Sequence, residues 1–310
     1  MKLVSIVTPF YNEEESIHDY FSCLEKIFSS IKSVNFEIIA VDDGSRDATY
    51  KILRELSQKK PYLKVVKLSR NFGKEIALTA GLDHASGDAA IPMDADLQDS
   101  PEILAQMIEK WQQGYKVVMA QRSSRNDPWL KKFTSAVFYK LAKKIMDSGL
   151  PENVGDFRLI DREALESIKK MRERNRFMRG ILSWVGYKTT VIQYERGART
   201  KGETKYNYKS MTKYALDGIF SFSTFPIRLI TYFGVLIALC SFLYGAVIIF
   251  SKLFFDQGIP GYASIMSVVL FLGGMNFIFI GIIGEYVGRI FTEVKNRPLY
   301  LVEKDSSNQE

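Results

Sequence analysis

Two stretches of this sequence are free of charge over the depth of a lipid bilayer core, and they limit what the chain can become. Residues 230–250 and 264–284 contain no Asp, Glu, Lys or Arg. As helix, a run of about 21 residues spans about 31 Å, one hydrocarbon core. The loop between them carries the breakers Gly258, Pro260 and Gly261. A buried hairpin of a soluble protein is the competing reading, but two such spans joined by a turn point to a membrane hairpin. Lys205, Lys209, Lys213 and Arg228 precede the first span, and Arg289, Lys295, Arg297 and Lys304 follow the second. The connecting loop offers only Lys252, beside Asp256. The positive-inside rule therefore places both termini in the cytoplasm, with a multi-pass protein in the inner membrane.

The 310 residues leave room for one large domain ahead of the hairpin, and the net charge of +7 asks for an anionic partner. No long basic tail, zinc-finger or RNA-binding signature is present, so nucleic acid is not expected. Cys23 and Cys240 lie far apart in unlike segments and fit reduced thiols. The N-terminus runs straight into a strand pattern and does not read as a signal peptide, which keeps the first domain cytoplasmic.

That domain alternates strand and helix. Strands are expected at 3–8, 36–41, 63–68, 89–93, 116–120 and 189–196. Helices are expected at 14–31, 47–58, 74–85 and 101–113. Such alternation predicts an α/β fold with a mostly parallel sheet covered on both faces. Ligands of these sheets bind beyond the carboxyl ends of the strands. Asp42, Asp94 and Arg122 fall at those ends.

The run from Ile91 to Asp99 concentrates the chemistry. An apolar strand ends in Asp94, Asp96 and Asp99. Asp94 and Asp96 point the same way in extended backbone, and two like charges side by side ask for a cation. Oxygen ligands of this kind suit Mg²⁺ or Mn²⁺, which often also bind substrate phosphates. A solvated acidic turn, with Asp99 as N-cap and Pro101 as an early helical residue, is the alternative.

Three strand ends carry Pro9-Phe-Tyr-Asn-Glu13, Val41-Asp-Asp-Gly-Ser45 and Asp94-Ala-Asp-Leu-Gln-Asp99. In this order they resemble the family 2 glycosyltransferases of the GT-A, Rossmann-like fold. The dinucleotide fingerprint Gly-x-Gly-x-x-Gly is absent, which counts against an NAD enzyme. Further along, Arg122-Ser-Ser-Arg125, Lys131-Lys132-Phe-Thr-Ser135, Gly155-Asp-Phe-Arg-Leu159 and Arg199-Thr-Lys-Gly-Glu-Thr-Lys-Tyr206 resemble the polyisoprenyl-phosphate glycosyltransferases. That group includes dolichol-phosphate mannose synthase and the bactoprenol glucosyltransferases, and the two-span layout matches the latter. Thr204 stands where the group usually has Ser, so a hydroxyl is kept.

The resemblance implies inverting, metal-dependent transfer of a hexose from a nucleotide sugar to a polyisoprenyl phosphate. UDP-glucose and undecaprenyl phosphate are expected at the cytoplasmic membrane face, with UDP released. Asp96 is the expected direct ligand of Mg²⁺ or Mn²⁺, with Asp94 sharing the metal or lying nearer the ribose. Gln98 is expected to face the sugar or acceptor. Pro9, Tyr11, Asn12, Glu13 and Asp42 are expected to form the nucleoside pocket, with Asp43 structural. Arg122, Arg125, Lys131 or Lys132 and Ser135 are candidates for the acceptor phosphate, because Arg forks match phosphate oxygens. Asp156 either orients the acceptor, acts as a weak base, or pairs with Arg158. Arg199 and Lys205 lie in a loop that can close over a diphosphate.

The expected division is a catalytic domain over 1–205, a juxtamembrane helix over 206–226, spans at 229–252 and 262–286, and a cytoplasmic tail over 287–310. The juxtamembrane helix is read as amphipathic at the membrane surface or as packed on its own domain. Gly273, Gly274, Gly281 and Gly284 permit close helix packing, and related enzymes are tetramers, so a homo-oligomer is expected. A processive polysaccharide synthase is the first alternative. It is disfavoured because Gln193-Tyr-Glu-Arg196 is followed by Gly197 rather than Trp. A GDP-mannose-using mannosyltransferase and a non-enzymatic scaffold stand behind it.

Overall fold

The computed structural model describes residues 1–97, 101–122, 154–174, 176, 178–194, 225–255 and 261–303. The described parts of Met1–Ala215 and Arg297–Glu310 form one compact unit, and those of Leu216–Asn296 a second.

The first unit is built on a seven-stranded sheet. Its strands are β1 (Lys2–Phe10), β2 (Val34–Asp42), β3 (Leu63–Lys67), β4 (Ala89–Pro92), β5 (Val117–Arg122), β6 (Val154–Asp161) and β7 (Thr189–Tyr194). Spatially they run β3-β2-β1-β4-β6-β5-β7. β1 pairs in parallel with β2 and β4, β2 with β3, and β5 with β7. β6 is the exception, antiparallel to both β4 and β5. The fold is thus the expected mixed α/β architecture, with one strand inserted against the grain. Because β6 is reversed, its first residues share the edge at which β2, β4 and β5 end.

The helices of this unit are α1 (Ile17–Ser30), α2 (Thr49–Lys59), α3 (Lys74–His84), α4 (Leu104–Gln112), α5 (Arg162–Lys170) and α6 (Met178–Trp184). α1 buries Ile17, Tyr20, Phe21 and Leu24, the i, i+3, i+4, i+7 stripe of a helix covering a sheet. α3 is buried almost all round, because small residues let it sit down on the sheet. A Cβ at Gly81 would lie 2.2 Å from Val7 and 3.0 Å from Val41. At α5 the Asp161 carboxylate caps the helix by accepting from the Glu163 amide, and it also accepts from the Trp111 indole.

The second unit holds α7 (Phe225–Phe255) and α8 (Tyr262–Val294). Both helices are long and apolar enough to cross a membrane, and the apolar windows are not buried by the rest of the chain. α7 starts before and α8 ends beyond the uncharged runs, because helix geometry continues past the last apolar turn.

The chain then returns to the first unit. Val302 bridges Leu68 in antiparallel fashion, the Ser69 amide donates to Leu301 O, and the Glu303 amide donates to Lys67 O. This seals the far end of edge strand β3, whose backbone groups would otherwise be open. Lys67 pairs with Glu303 at 2.9 Å, and the Tyr300 hydroxyl donates to Asp83, which also pairs with Arg172.

Candidate functional site

The sheet edge formed by the ends of β1, β2 and β4 and the start of β6 carries Pro9, Tyr11, Asn12, Glu13, Asp42, Asp94, Asp96 and Asp156. The first loop, after β1, is stitched to the loop after β2. Asn12 sits in left-handed backbone at φ 53°. Its amide donates to Ser45 Oγ, and its side-chain oxygen accepts from the Arg46 amide. The Glu13 amide donates to Thr49, and the Ser16 hydroxyl donates to the Glu13 carboxylate. Pro9 and Tyr11 are partly exposed beside them. Asn12 therefore shapes the loop as well as lining the edge.

Asp42, the last residue of β2, is fully buried. Its Oδ1 accepts from the Ser45 amide, while Oδ2 has no hydrogen-bond partner among the described residues. Burial raises its pKa. A buried acceptor left open is costly unless a ligand supplies the donor. Asp43 is built differently: its two oxygens accept from the amides of Phe72 and Gly73 at 2.7 and 2.9 Å. It ties β2 to the loop before α3. That closure needs glycine at 44, where φ is +68° and a Cβ would stand 2.4 Å from the Arg70 carbonyl carbon.

The second acidic pair follows β4. The strand ends at Pro92 and residues 95–96 turn, so the backbone is not extended there as the spacing suggested. The alternation nevertheless survives: Met93 and Ala95 are buried, Asp94 and Asp96 partly exposed. Leu97 holds φ 50°, a strained value for a branched side chain at the mouth of the site.

A residue not foreseen from the sequence joins them. Lys74, the first residue of α3, places Nζ 2.7 Å from Asp94 Oδ1 and 2.8 Å from Oδ2. The same ammonium lies 3.6 Å from Asp156 on β6. A cation at a helix N-terminus opposes the helix dipole and needs an anionic neighbour. That mismatch, readable at Gly73-Lys74, was the available signal. Arg158 is buried and donates to Gly155 O at 2.7 Å.

Two carboxylates open to solvent suit Mg²⁺ or Mn²⁺, which are commonly held by one or two carboxylates plus phosphate oxygens and water. No group of three or more His, Cys, Asp or Glu is arranged to hold a metal among the described residues. Asp94 and Asp96 fit a cation that also takes water and phosphate oxygens as ligands. Arg122 closes β5, paired in register with Tyr194. Gln98, Arg125, Lys131, Lys132, Ser135, Arg199 and Lys205 lie outside the described residues.

Comparison with known proteins matches this architecture in two parts. Residues 5–169 match "Glycosyl transferase family 2", and residues 225–290 match "GtrB C-terminal hairpin". The SfII prophage-derived bactoprenol glucosyl transferase of Shigella flexneri is 50% identical over 302 residues, 97% of each chain. An uncharacterized glycosyltransferase of Synechocystis sp. is 48% identical over 300 residues, 96% of this chain and 94% of its own. The prophage bactoprenol glucosyl transferase homolog of Escherichia coli is 48% identical, covering 97% of this chain and 98% of its own. The chain is therefore a glycosyltransferase of family 2, a member of the bactoprenol glucosyl transferase group that carries the GtrB C-terminal hairpin.

Proposed function

We propose that this enzyme moves glucose from UDP-glucose to undecaprenyl phosphate, or a close polyisoprenyl phosphate, with inversion at the anomeric carbon and release of UDP. The observation that carries the reading is the end-to-end likeness to a bactoprenol glucosyl transferase, which spans both units at 50% identity.

In this scheme Asp42 Oδ2 accepts a hydrogen bond from the base or ribose of the donor, which satisfies its buried oxygen. Asp94 and Asp96 would hold Mg²⁺ or Mn²⁺. When bound, that ion neutralises the charge that grows on the leaving group. The acceptor phosphate oxygen attacks C1 of glucose from the face opposite the diphosphate. The new O–C1 bond forms as the C1–O bond to UDP breaks, and the electron pair leaves on the β-phosphate oxygen. The attacking oxygen is already anionic near neutral pH, so no strong base is required. Arg122, with Arg125, Lys131, Lys132 and Ser135, guides that phosphate past the donor's charge; Gln98 faces the sugar, and Arg199 and Lys205 cover the diphosphate.

The lipid tail stays in the membrane, so the catalytic unit (1–205, with a juxtamembrane helix over 206–226) works at the cytoplasmic face. The spans at 229–252 and 262–286 hold it there, and 287–310 returns to the cytoplasm. The bridge between Val302 and Leu68 supports this topology. Residues on both sides of the hairpin belong to one compact unit, which is consistent with an even number of crossings. A homo-oligomer completes the proposal.

The test is a panel of radiolabelled nucleotide sugars with undecaprenyl phosphate and purified full-length protein in detergent. Label from UDP-glucose is expected in a single lipid-phosphate-glucose product. Transfer from GDP-mannose instead, or a growing polymer, would overturn the assignment.

A further inference from the structure

The Lys74 ammonium stands between Asp94 and Asp156. Its ammonium engages both oxygens of Asp94, at 2.7 and 2.8 Å, and reaches Asp156 at 3.6 Å. Asp94 belongs to the loop after β4 and Asp156 to β6, so one cation from α3 holds together carboxylates from two other elements. The contacts are only partly shielded: the Lys74 side chain is 38% exposed and that of Asp94 30%. Such a pair exchanges readily with solvent and with other ions.

We propose that Lys74 is a resident counter-cation that makes metal uptake depend on the nucleotide; the proposal rests on the metal-dependent reading above. Without donor, an incoming Mg²⁺ or Mn²⁺ competes with the ammonium for the same Asp94 oxygens. It must also leave the displaced Lys74 beside a dication, with like charges repelling. A donor diphosphate changes the balance by giving the ammonium a further anionic partner. The lysine stem is long and flexible enough to turn from one to the other. Asp94 is then released to the metal as the diphosphate arrives, and the lysine becomes a positioning residue for the diphosphate. An enzyme built this way loads metal more weakly in an empty site than in one holding the donor.

Mn²⁺ uptake by the purified full-length protein, followed by the electron paramagnetic resonance signal of free Mn²⁺, reads this directly, with and without UDP. Wild type is expected to bind Mn²⁺ more tightly with UDP than without. Lys74→Met is expected to bind Mn²⁺ about fivefold more tightly in the absence of UDP. That factor corresponds to losing a competing ion pair of about 1 kcal/mol at 1.4 kcal/mol per decade. Its gain on adding UDP should shrink by a similar factor. Lys74→Arg keeps the charge and should follow wild type, which separates charge from any packing effect. Unchanged or weaker UDP-free Mn²⁺ binding by a folded Lys74→Met protein would overturn the proposal while leaving metal dependence intact. Absence of Mn²⁺ uptake by wild type even with UDP would overturn the metal reading and this inference with it.

Discussion

Asp42-Asp43 and Asp94-x-Asp96 follow two parallel strands on either side of β1, yet they are built in opposite ways. The first pair is buried, and burial raises both pKa values. Asp43 spends both oxygens on backbone amides, and Asp42 keeps one oxygen open. The second pair is partly exposed, and one member is met by an ammonium. A buried carboxylate with one open acceptor suits neutral N–H and O–H donors, which it can select by geometry. A solvated carboxylate pair suits cations, which need charge and room for water. In the proposed mechanism the same residue type thus serves recognition at one strand end and ion handling at the next, and burial decides which.

The largest expected effect comes from the exposed pair. Asp96→Asn should lower turnover on the order of 10³-fold, as loss of a group that stabilises developing charge does. Initial rates at saturating UDP-glucose check this, and a fall of less than tenfold would break the contrast.

Glu37 is a third kind of carboxylate and sharpens the comparison. It is buried away from this edge but fully engaged, accepting from Lys64, Ser5 and Ser86. Burial opposes its charge, but these hydrogen bonds together outweigh it and bring its pKa from 4.5 down to about 2. A lowered pKa means stability that is present above pH 4.5 and lost as pH falls toward 2. Glu37→Ala should cost on the order of 3 kcal/mol at neutral pH, read by denaturant melts. The gap to wild type should narrow below pH 4.

Asp42→Asn comes next. It should weaken UDP binding about tenfold by calorimetry. Because its folded pKa is raised, Asp42 favours folding at low pH, and that contribution is lost as pH rises through the folded value. Stability at neutral pH should therefore not fall in Asp42→Asn, unlike Glu37→Ala. The smallest effect is expected at the β3 edge. Glu303→Ala removes a partly exposed pair with Lys67 and should cost under about 1 kcal/mol, with turnover changed less than about twofold.

Much of this was legible beforehand because it is local. Parallel strands buried on both faces read as short apolar runs, and acidic residues at their ends mark the edge where ligands bind. The uncharged runs at 230–250 and 264–284 read directly from composition. β6 was not legible as a strand, since its run holds Asp156 and a buried Arg158, and its partners β4 and β5 are set by the sheet. Lys74 meets Asp94 only because α3 enters beside β4. The pairing of Leu301, Val302 and Glu303 is fixed by open backbone groups of β3, more than 230 residues earlier in sequence. No local pattern in a short segment after Pro298 announces that partner.

In the proposed mechanism a divalent ion is held at the partly exposed carboxylates while the buried one reads the nucleoside. The direct measurement is glucose transfer from UDP-glucose to undecaprenyl phosphate by chelator-stripped protein, followed by return of Mn²⁺ or Mg²⁺. Turnover should vanish on stripping and return with the ion in wild type, but not in Asp96→Asn. Undiminished turnover in excess chelator would contradict it.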